Sequence, residues 1–140
     1  MEIKFTNKTG SVSAQMRQQA IAFLIEAKGS IASQTALNSP VGDYQGGGEL
    51  KKSFGSDSFV DETNLIAYIG STLKYAIYQE YGTGEYALNG NGRKGAWGYT
   101  GKDGKTHFTR GVRPKRMLFK AFEEKKNAVM TRGKEIFKEI

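Results

Sequence analysis

Apolar residues recur at spacings of three and four near both ends of the chain, and this pattern predicts two long helices. The first helix is expected over about residues 13–37. Ser11 or Ser13 supplies its N-cap oxygen. Asn38-Ser39-Pro40 ends it, because the residue before a proline is pushed out of the helical region. The apolar stripe of this helix consists of Met16, Ala20, Leu24 and Ala27, with Phe23 and Ile31 beside them.

The second long helix is expected over about residues 114–138. Pro114 favours a helix start there, because proline is well tolerated in the first helical turn. Its apolar side is formed by Leu118, Phe122, Val129 and Ile136, together with Met117, Phe119 and Phe137. The other sides are heavily charged, as is usual for a helix that packs through one face.

Short apolar runs between the two helices predict a small antiparallel sheet. Ile3 and Phe5 alternate with polar neighbours and indicate a short opening strand. Phe59-Val60 and Leu65–Ile69 flank a polar turn, which is typical of a hairpin. The second run is apolar on both faces, with Leu65, Ala67 and Ile69 on one of them, so it should be a central, covered strand. Residues 50–54 form a short element, either an edge strand or one helical turn.

A tyrosine-rich segment predicts a short helix over about residues 73–81. Ser71 or Thr72 can cap its start, and Gly82 stands where a left-handed C-terminal cap is expected. Its tyrosines recur every three residues and therefore lie along one side of the helix. They are Tyr75, Tyr78 and Tyr81.

Glycine is concentrated in the middle of the chain, which holds most of its 18 copies. Residues 41–48 and 84–95 are therefore expected to be loops. Trp97–Thr100 and Lys105–Thr109 flank the turn Gly101-Lys-Asp-Gly104, which favours a second hairpin because Asp-Gly suits positive φ. The chain is thus predicted to be one α+β domain over residues 1–140, a small antiparallel sheet packed by two long helices, with a flexible basic arm at about 84–112.

Composition narrows the function classes. The chain has 140 residues, 38% hydrophobic and 25% charged, which is typical of a globular domain. It contains no cysteine, which excludes disulfides and thiolate zinc sites. No apolar stretch is long enough to span a bilayer and no secretory signal is visible, so we expect a cytoplasmic origin and no membrane partner.

The net charge of +7 is uneven, with eight Lys/Arg and one acid between Arg93 and Arg116. Such a patch attracts phosphate backbones or acidic protein surfaces, although a solvated basic loop has the same composition. The candidate basic patch comprises Arg93, Lys94, Lys102, Lys105, Arg110, Lys115 and Arg116. Together with Trp97 and Tyr99, which could stack on bases, it supports the alternative of a nucleic-acid-binding module.

The residues offer little for catalysis. His107 is the only histidine, and no Gly-x-Ser-x-Gly nucleophile motif is present. An acid–base pair of His107 and Glu80, with Arg110 binding phosphate, is conceivable and would make the chain a small nuclease or toxin. The sequence does not place these three residues together. We therefore expect no enzymatic activity, no cofactor and no metal.

Three stretches together resemble a known family. They are Ser39-Pro-Val leading to Gly48-Glu-Leu-Lys-Lys-Ser-Phe54, then Tyr75-Ala-Ile-Tyr-Gln-Glu-Tyr-Gly-Thr-Gly84, and Val112-Arg-Pro-Lys-Arg-Met-Leu-Phe119. The pattern is similar to the neck or tail-completion (head–tail joining) proteins of siphophages, often described as minor capsid or tail components. The likeness covers roughly residues 14–122, and the tyrosine-rich stretch is its most specific part. The chain departs from the family at Gly42-Asp43-Tyr44 and at Arg116-Met-Leu-Phe.

The resemblance implies a non-enzymatic virion protein, assembled in the bacterial cytoplasm as a ring around the DNA path between head and tail. Its implied partners are connector and tail proteins, further copies of the chain and, without sequence preference, DNA. On this reading the tyrosine helix and the turn after it form either core or subunit interface. The candidate interface residues are Tyr75, Tyr78, Tyr81, Gly82, Thr83, Gly84, Trp97, Arg113 and Pro114.

Overall fold

The computed structural model describes residues 1–4, 13–41 and 48–138. They form two compact units, one of Met1–Thr72 with Met117–Ile140 and one of Leu73–Arg116. We call them the helical unit and the hairpin unit. The Ser11 cap, Phe5 and nearly all of the 41–48 loop lie outside the described residues. That the chain is one domain with a flexible arm stays a prediction.

The helical unit has the predicted α+β architecture, with the two long helices packed on a small antiparallel sheet. Its helices are α1 (Ala14–Asn38), α2 (Glu49–Asp57) and α4 (Met117–Phe137). Its strands are β1 (Glu2–Lys4), β2 (Phe59–Asp61) and β3 (Ile66–Tyr68), in the spatial order β1-β3-β2. Ala67 of β3 pairs with Ile3 on one side and Val60 on the other, so the prediction of a central strand is confirmed.

The core of this unit is built where α1 and α4 cover the sheet. One buried cluster joins Ala20 and Leu24 of α1 to Leu65 and Ala67. A second cluster joins Ile31 and Ala32 of α1 to Ile69 and to Ala121 of α4. Of the predicted stripe of α1, Ala20, Leu24 and Ala27 are buried, whereas Met16 is only partly buried.

The first helix begins and ends as its sequence predicts. Ser13 is its N-cap, and the Ser13 hydroxyl accepts a hydrogen bond from the Met16 N–H at 3.1 Å. Ser39 is the C-cap. The short element at residues 50–54 is helical, because Leu50 and Phe54 share one buried side of α2 at helical spacing.

The start predicted for the last helix is wrong. The helix begins at Met117, not at Pro114, and Arg116 has φ 52°, outside the helical region. The preceding backbone has other partners, since the Lys115 N–H donates to the Gln79 carbonyl at 2.7 Å. One side chain of the expected apolar face is also exposed, since Phe119 is 47% exposed, and Ala121, which was not predicted to be on that face, is fully buried.

The hairpin unit contains α3 (Ala76–Tyr81), a 3₁₀ turn at Gly84–Tyr86 and the predicted hairpin of β4 (Trp97–Thr100) and β5 (Thr106–Thr109). The expected start of α3 and its cap are wrong. Tyr75 is the N-cap. Thr72 has another role, because its N–H and hydroxyl both donate to the Asp57 carboxylate at 2.9 Å. None of the helices in the described ranges is long and apolar enough to cross a membrane.

Candidate interaction surface

Two segments that are distant in sequence are joined by backbone hydrogen bonds in the hairpin unit. The Thr83 N–H donates to the Val112 carbonyl, and the Val112 N–H donates to the Thr83 hydroxyl, both at 2.9 Å. The Glu85 N–H donates to the Arg110 carbonyl, also at 2.9 Å. We call this junction of residues 82–85 with 110–112 the glycine clasp. It fixes the end of the tyrosine helix onto the segment that precedes Pro114.

The clasp closes only because its closest positions lack a side chain. Gly84 has φ 61°, and a Cβ there would lie 2.2 Å from the Arg110 carbonyl oxygen. Gly111 has φ 126°, and a Cβ added there would lie 2.1 Å from the Thr83 carbonyl oxygen. A Cβ added at Gly92 would lie 2.1 Å from the Gly84 carbonyl oxygen. Real Cβ atoms do not approach backbone oxygens so closely, so contact requires glycine at all three positions, and the positive φ requires it at Gly84 and Gly111 as well.

The tyrosine helix turns its aromatic side outward. Tyr78 is 56% exposed and Tyr81 is 49% exposed, whereas the buried residues of α3 are Ala76 and Glu80. Ile77 and Leu88 are also about half exposed. Of the two roles expected for the tyrosine stripe, core or interface, these exposures fit the interface for Tyr78 and Tyr81. We call Ile77, Tyr78, Tyr81 and Leu88 the tyrosine surface.

A pocket of about 390 Å³ opens beside the tyrosine surface. This volume is at the lower end of the range for ligand sites and also suits a large side chain. The Trp97 indole forms part of its wall and lies close to Gly84, where an added Cβ would be 2.8 Å from the ring. The guanidinium of Arg93 lies 5.3 Å from the Trp97 ring centroid. The pocket is lined by Ile77, Tyr78, Tyr81, Gly82, Thr83, Gly84, Ala87, Asn89, Asn91, Gly92, Arg93 and Trp97.

Most of the predicted interface residues are therefore together. Six of the nine line this pocket: Tyr78, Tyr81, Gly82, Thr83, Gly84 and Trp97. Pro114 contacts the clasp, since its Cδ would be 2.9 Å from a Cβ on Gly82. Arg113 lies 4.4 Å from the centroid of the Tyr86 ring, outside the pocket lining. Tyr75, at the start of the helix, is half-buried and is not among the lining residues.

The residues of the predicted basic patch fall into three groups by their contacts. Arg110 forms an ion pair with Glu85 at 3.1 Å, and Arg116 lies 3.7 Å from the buried Glu80 carboxylate, so both of these cations have an acidic partner within the unit. Arg93 contacts Trp97. The four lysines of the patch are exposed: Lys94, Lys102, Lys105 and Lys115.

His107 is held by a neighbour in its own hairpin. Its Nε2 lies 3.0 Å from both carboxylate oxygens of Asp103, and its ring stacks on Tyr99 at 5.5 Å. The hydrogen bond with His107, followed by that from the Lys105 N–H, lowers the pKa of Asp103. Glu80 and Arg110, the other two residues of the nuclease hypothesis, are paired with different partners.

Sequence reasoning missed three parts of this site: Gly92, Gly111 and Glu85. In a chain with 18 glycines, composition does not reveal which ones approach another backbone segment. Glu85 accepts from the Gly95 N–H at 3.1 Å as well as pairing with Arg110. Among residues 1–4, 13–41 and 48–138, no group of three or more His, Asp or Glu is arranged to hold a metal ion.

Comparison with protein-family models, with curated protein sequences and with solved structures gives no match to this chain.

Proposed function

We propose that the chain is a non-enzymatic structural protein of a long-tailed phage virion. In this role it joins or completes the neck between head and tail, as one subunit of a ring around the DNA path. The starting point is the resemblance of three sequence stretches to siphophage neck proteins. Two of these stretches, those that begin at Tyr75 and Val112, meet in the glycine clasp of the hairpin unit and so form one part of the structure.

The observation that carries the proposal is the tyrosine surface beside its pocket. Large side chains on one short helix are about half exposed, and a rigid backbone junction holds the end of that helix. Tyrosine, tryptophan and arginine are the residues enriched at the energetic centres of protein interfaces. Tyr78, Trp97 and Arg93 all line the pocket. A protein partner, either a neighbouring subunit or a connector or tail protein, would bury this surface.

The contacts of the titratable residues support the non-enzymatic part of the proposal. The nuclease hypothesis needs Glu80 and Arg110 beside His107 as acid and phosphate-binding groups, but the carboxylate beside the His107 Nε2 is that of Asp103. Glu80 is 8% exposed and lies against Arg116, and Arg110 is paired with Glu85. If His107→Ala abolished a nuclease activity of the purified chain, the small-nuclease alternative would replace our proposal.

The test is isolation of the tagged chain from phage-infected or lysogen-induced cells, with mass spectrometry of its partners and of purified virions. We expect a few copies per virion and co-purification with connector or tail proteins. Absence from virions, with a host enzyme or free nucleic acid recovered instead, would contradict the proposal.

A variant pair tests whether the tyrosine surface makes the contact. Tyr78→Ser with Tyr81→Ser removes the exposed rings and should leave the fold intact, because both side chains are about half solvent-exposed. Partner capture should fall by tenfold or more, the loss of about 1.4 kcal/mol expected for interface anchors. Tyr99→Ser is the matched control, because Tyr99 is also 49% exposed but does not line the pocket. Equal capture by both variants would remove the tyrosine surface from the interface.

A further inference from the structure

Two Asn-Gly pairs follow each other in the loop that forms one wall of the pocket. They are Asn89-Gly90 and Asn91-Gly92, the only places in the chain where glycine follows asparagine. In such a pair the backbone nitrogen of the glycine can attack the side-chain carbonyl carbon of the asparagine, because glycine has no Cβ to obstruct the approach. Asparagine is accordingly one of the thermolabile residues of proteins. Both asparagines line the pocket and are exposed.

The first pair is held by two hydrogen bonds that oppose this reaction. The Gly90 N–H, whose nitrogen would have to attack, donates to the Ala87 carbonyl at 3.0 Å. The Asn89 side-chain oxygen accepts a hydrogen bond from the Asn91 N–H at 3.3 Å. Both bonds must open before a ring can form at Asn89, and each of them lowers the fraction of molecules that are ready to react.

The second pair has neither restraint. Among the residues that the structure describes, none accepts a hydrogen bond from the Gly92 N–H, and none is hydrogen-bonded to the side chain of Asn91. Asn91 is exposed, so its side chain can turn toward the Gly92 nitrogen without breaking a hydrogen bond. The two pairs have the same sequence and therefore differ in how available their reacting groups are.

We propose that Asn91-Gly92 is a self-modification site, at which the side-chain amide is converted into a carboxylate on the wall of the pocket. The Gly92 nitrogen gives up its proton and forms a bond to Cγ of Asn91. The bond from Cγ to the amide nitrogen breaks, and ammonia leaves with the proton that Gly92 gave up. Water then opens the succinimide ring at either of its carbonyls, which gives aspartate or isoaspartate. Water is the only co-reactant.

The conversion changes the charge of the pocket. Arg93 is the only charged residue of the pocket lining within the described part of the chain. A carboxylate at position 91 adds an acid to this lining and lowers the net charge of +7 by one. The isoaspartate product also lengthens the backbone just before Gly92, whose close approach to Gly84 leaves no room for a Cβ. The converted chain thus differs from the unmodified one in the charge of the pocket and in the backbone beside the glycine clasp.

The test follows both pairs in the same molecule. The purified full chain is kept in neutral and in mildly alkaline buffer, digested with trypsin at intervals and sequenced by tandem mass spectrometry. We expect conversion at Asn91 to be about 25-fold faster than at Asn89, about 5-fold for each hydrogen bond that holds the first pair. It should be faster in the alkaline buffer, because the attacking nitrogen must lose its proton. In guanidinium chloride, which removes the fold, the two pairs should convert at similar rates.

Matched substitutions assign the reaction to one side chain. Asn91→Gln should remove most of the ammonia released by the folded chain, because glutamine would have to close a larger and less favourable ring. Asn89→Gln is the control and should leave that release nearly unchanged.

The single tryptophan of the chain reports the change of charge, because Trp97 and Arg93 line the same pocket. Iodide, an anion, should quench the fluorescence of Trp97 less in Asn91→Asp than in the unmodified chain. Acrylamide, which is neutral, should quench both equally.

Equal rates at the two pairs in the folded chain would overturn the proposal. Faster conversion at Asn89 would do so too, as would an Asn91 that stays intact while the unfolded chain reacts. Unchanged iodide quenching in Asn91→Asp would refute the effect on the pocket. None of these measurements uses a partner or a virion, so the modification and the proposed neck function are tested separately.

Discussion

Substitution of Gly84 by alanine should open the glycine clasp and release the tyrosine helix from the segment around Val112. The added Cβ would lie 2.2 Å from the Arg110 carbonyl oxygen, whereas ordinary contacts are 3.4–4 Å. The neighbouring atom is backbone and cannot rotate away, so the two segments must separate by about 1 Å. That movement breaks the hydrogen bond that the Glu85 N–H donates to the Arg110 carbonyl and the one that the Thr83 N–H donates to the Val112 carbonyl.

The magnitude follows from three contributions. A non-glycine residue at φ 61° costs about 1 kcal/mol. Each of the two hydrogen bonds contributes about 1 kcal/mol, and the groups that they leave unbonded add about 1 kcal/mol more. The total is about 4 kcal/mol against the closed clasp.

Gly90→Ala is the matched control, because Gly90 also has a positive φ, 72°, but nothing lies within 4 Å of its added Cβ. It should lose only the conformational contribution of about 1 kcal/mol. The difference of about 3 kcal/mol corresponds to roughly 150-fold faster amide exchange at the clasp. The measurement is hydrogen exchange at the Thr83, Glu85 and Val112 amides. Equal exchange rates in the two variants would refute the reasoning that close approach is what demands glycine at position 84.

Three further changes test other parts of the structure. Leu24→Ala, at a fully buried position, should lower the free energy of unfolding by about 3 kcal/mol in urea titrations, whereas Leu37→Ala, 69% exposed in the same helix, should change it by less than about 0.5 kcal/mol. Ser13→Ala removes the N-cap of α1 and should cost about 1 kcal/mol, measured as a lower Tm; an unchanged Tm would mean that the cap is replaced. The pKa of Asp103 is lowered by its bond with His107, so its stabilisation of the hairpin is present above its usual pKa of 3.8 and is lost as pH falls through the lower folded value. Trp97 fluorescence should follow this loss in acid, and Asp103→Asn should abolish that acid step; a step that persists in the variant would assign it to another group.

Elements with a clear periodicity of apolar residues could be predicted from the sequence. The first long helix has the N-cap Ser13 and an end just before Pro40 as predicted, and its predicted stripe is buried except at Met16, which is partly buried. The hairpins could also be predicted, because polar turns separate the apolar runs at Phe59–Asp61 and Ile66–Tyr68 and because Asp103-Gly104 suits a tight turn. Each of these signals lies within or next to the element that it predicts, so no distant segment is needed to explain the element.

The errors arose where a distant segment competes for the backbone. Pro114 is a good first residue for a helix, but the next residue, Lys115, donates its N–H to Gln79, and Arg116 takes φ 52°. Thr72 is a good helix cap, but it is bonded to Asp57 instead. Local propensity cannot anticipate such partners, because their separation along the chain carries no periodic signal.

Many of the residues of the candidate site could be predicted from the sequence, but their arrangement in space could not. The spacing of the tyrosines predicted that they share one side of the helix, but not whether that side is exposed or buried. Only the fold shows that Tyr78 and Tyr81 are about half exposed. The glycines of the clasp could not be distinguished from the others, since Gly90 and Gly84 both have positive φ and differ only in what surrounds them. The basic segment was visible as charge, but the sequence did not show that Arg110 and Arg116 are used internally.

The position of the chain in the virion tests the central proposal most directly. Purified virions carrying a tagged copy of the chain would be labelled with gold particles and viewed by electron microscopy. Our account predicts label confined to the junction between head and tail, and loss of that label when Tyr78 and Tyr81 are replaced by serine. Label on the capsid surface or the tail tip, or virions without label, would contradict it.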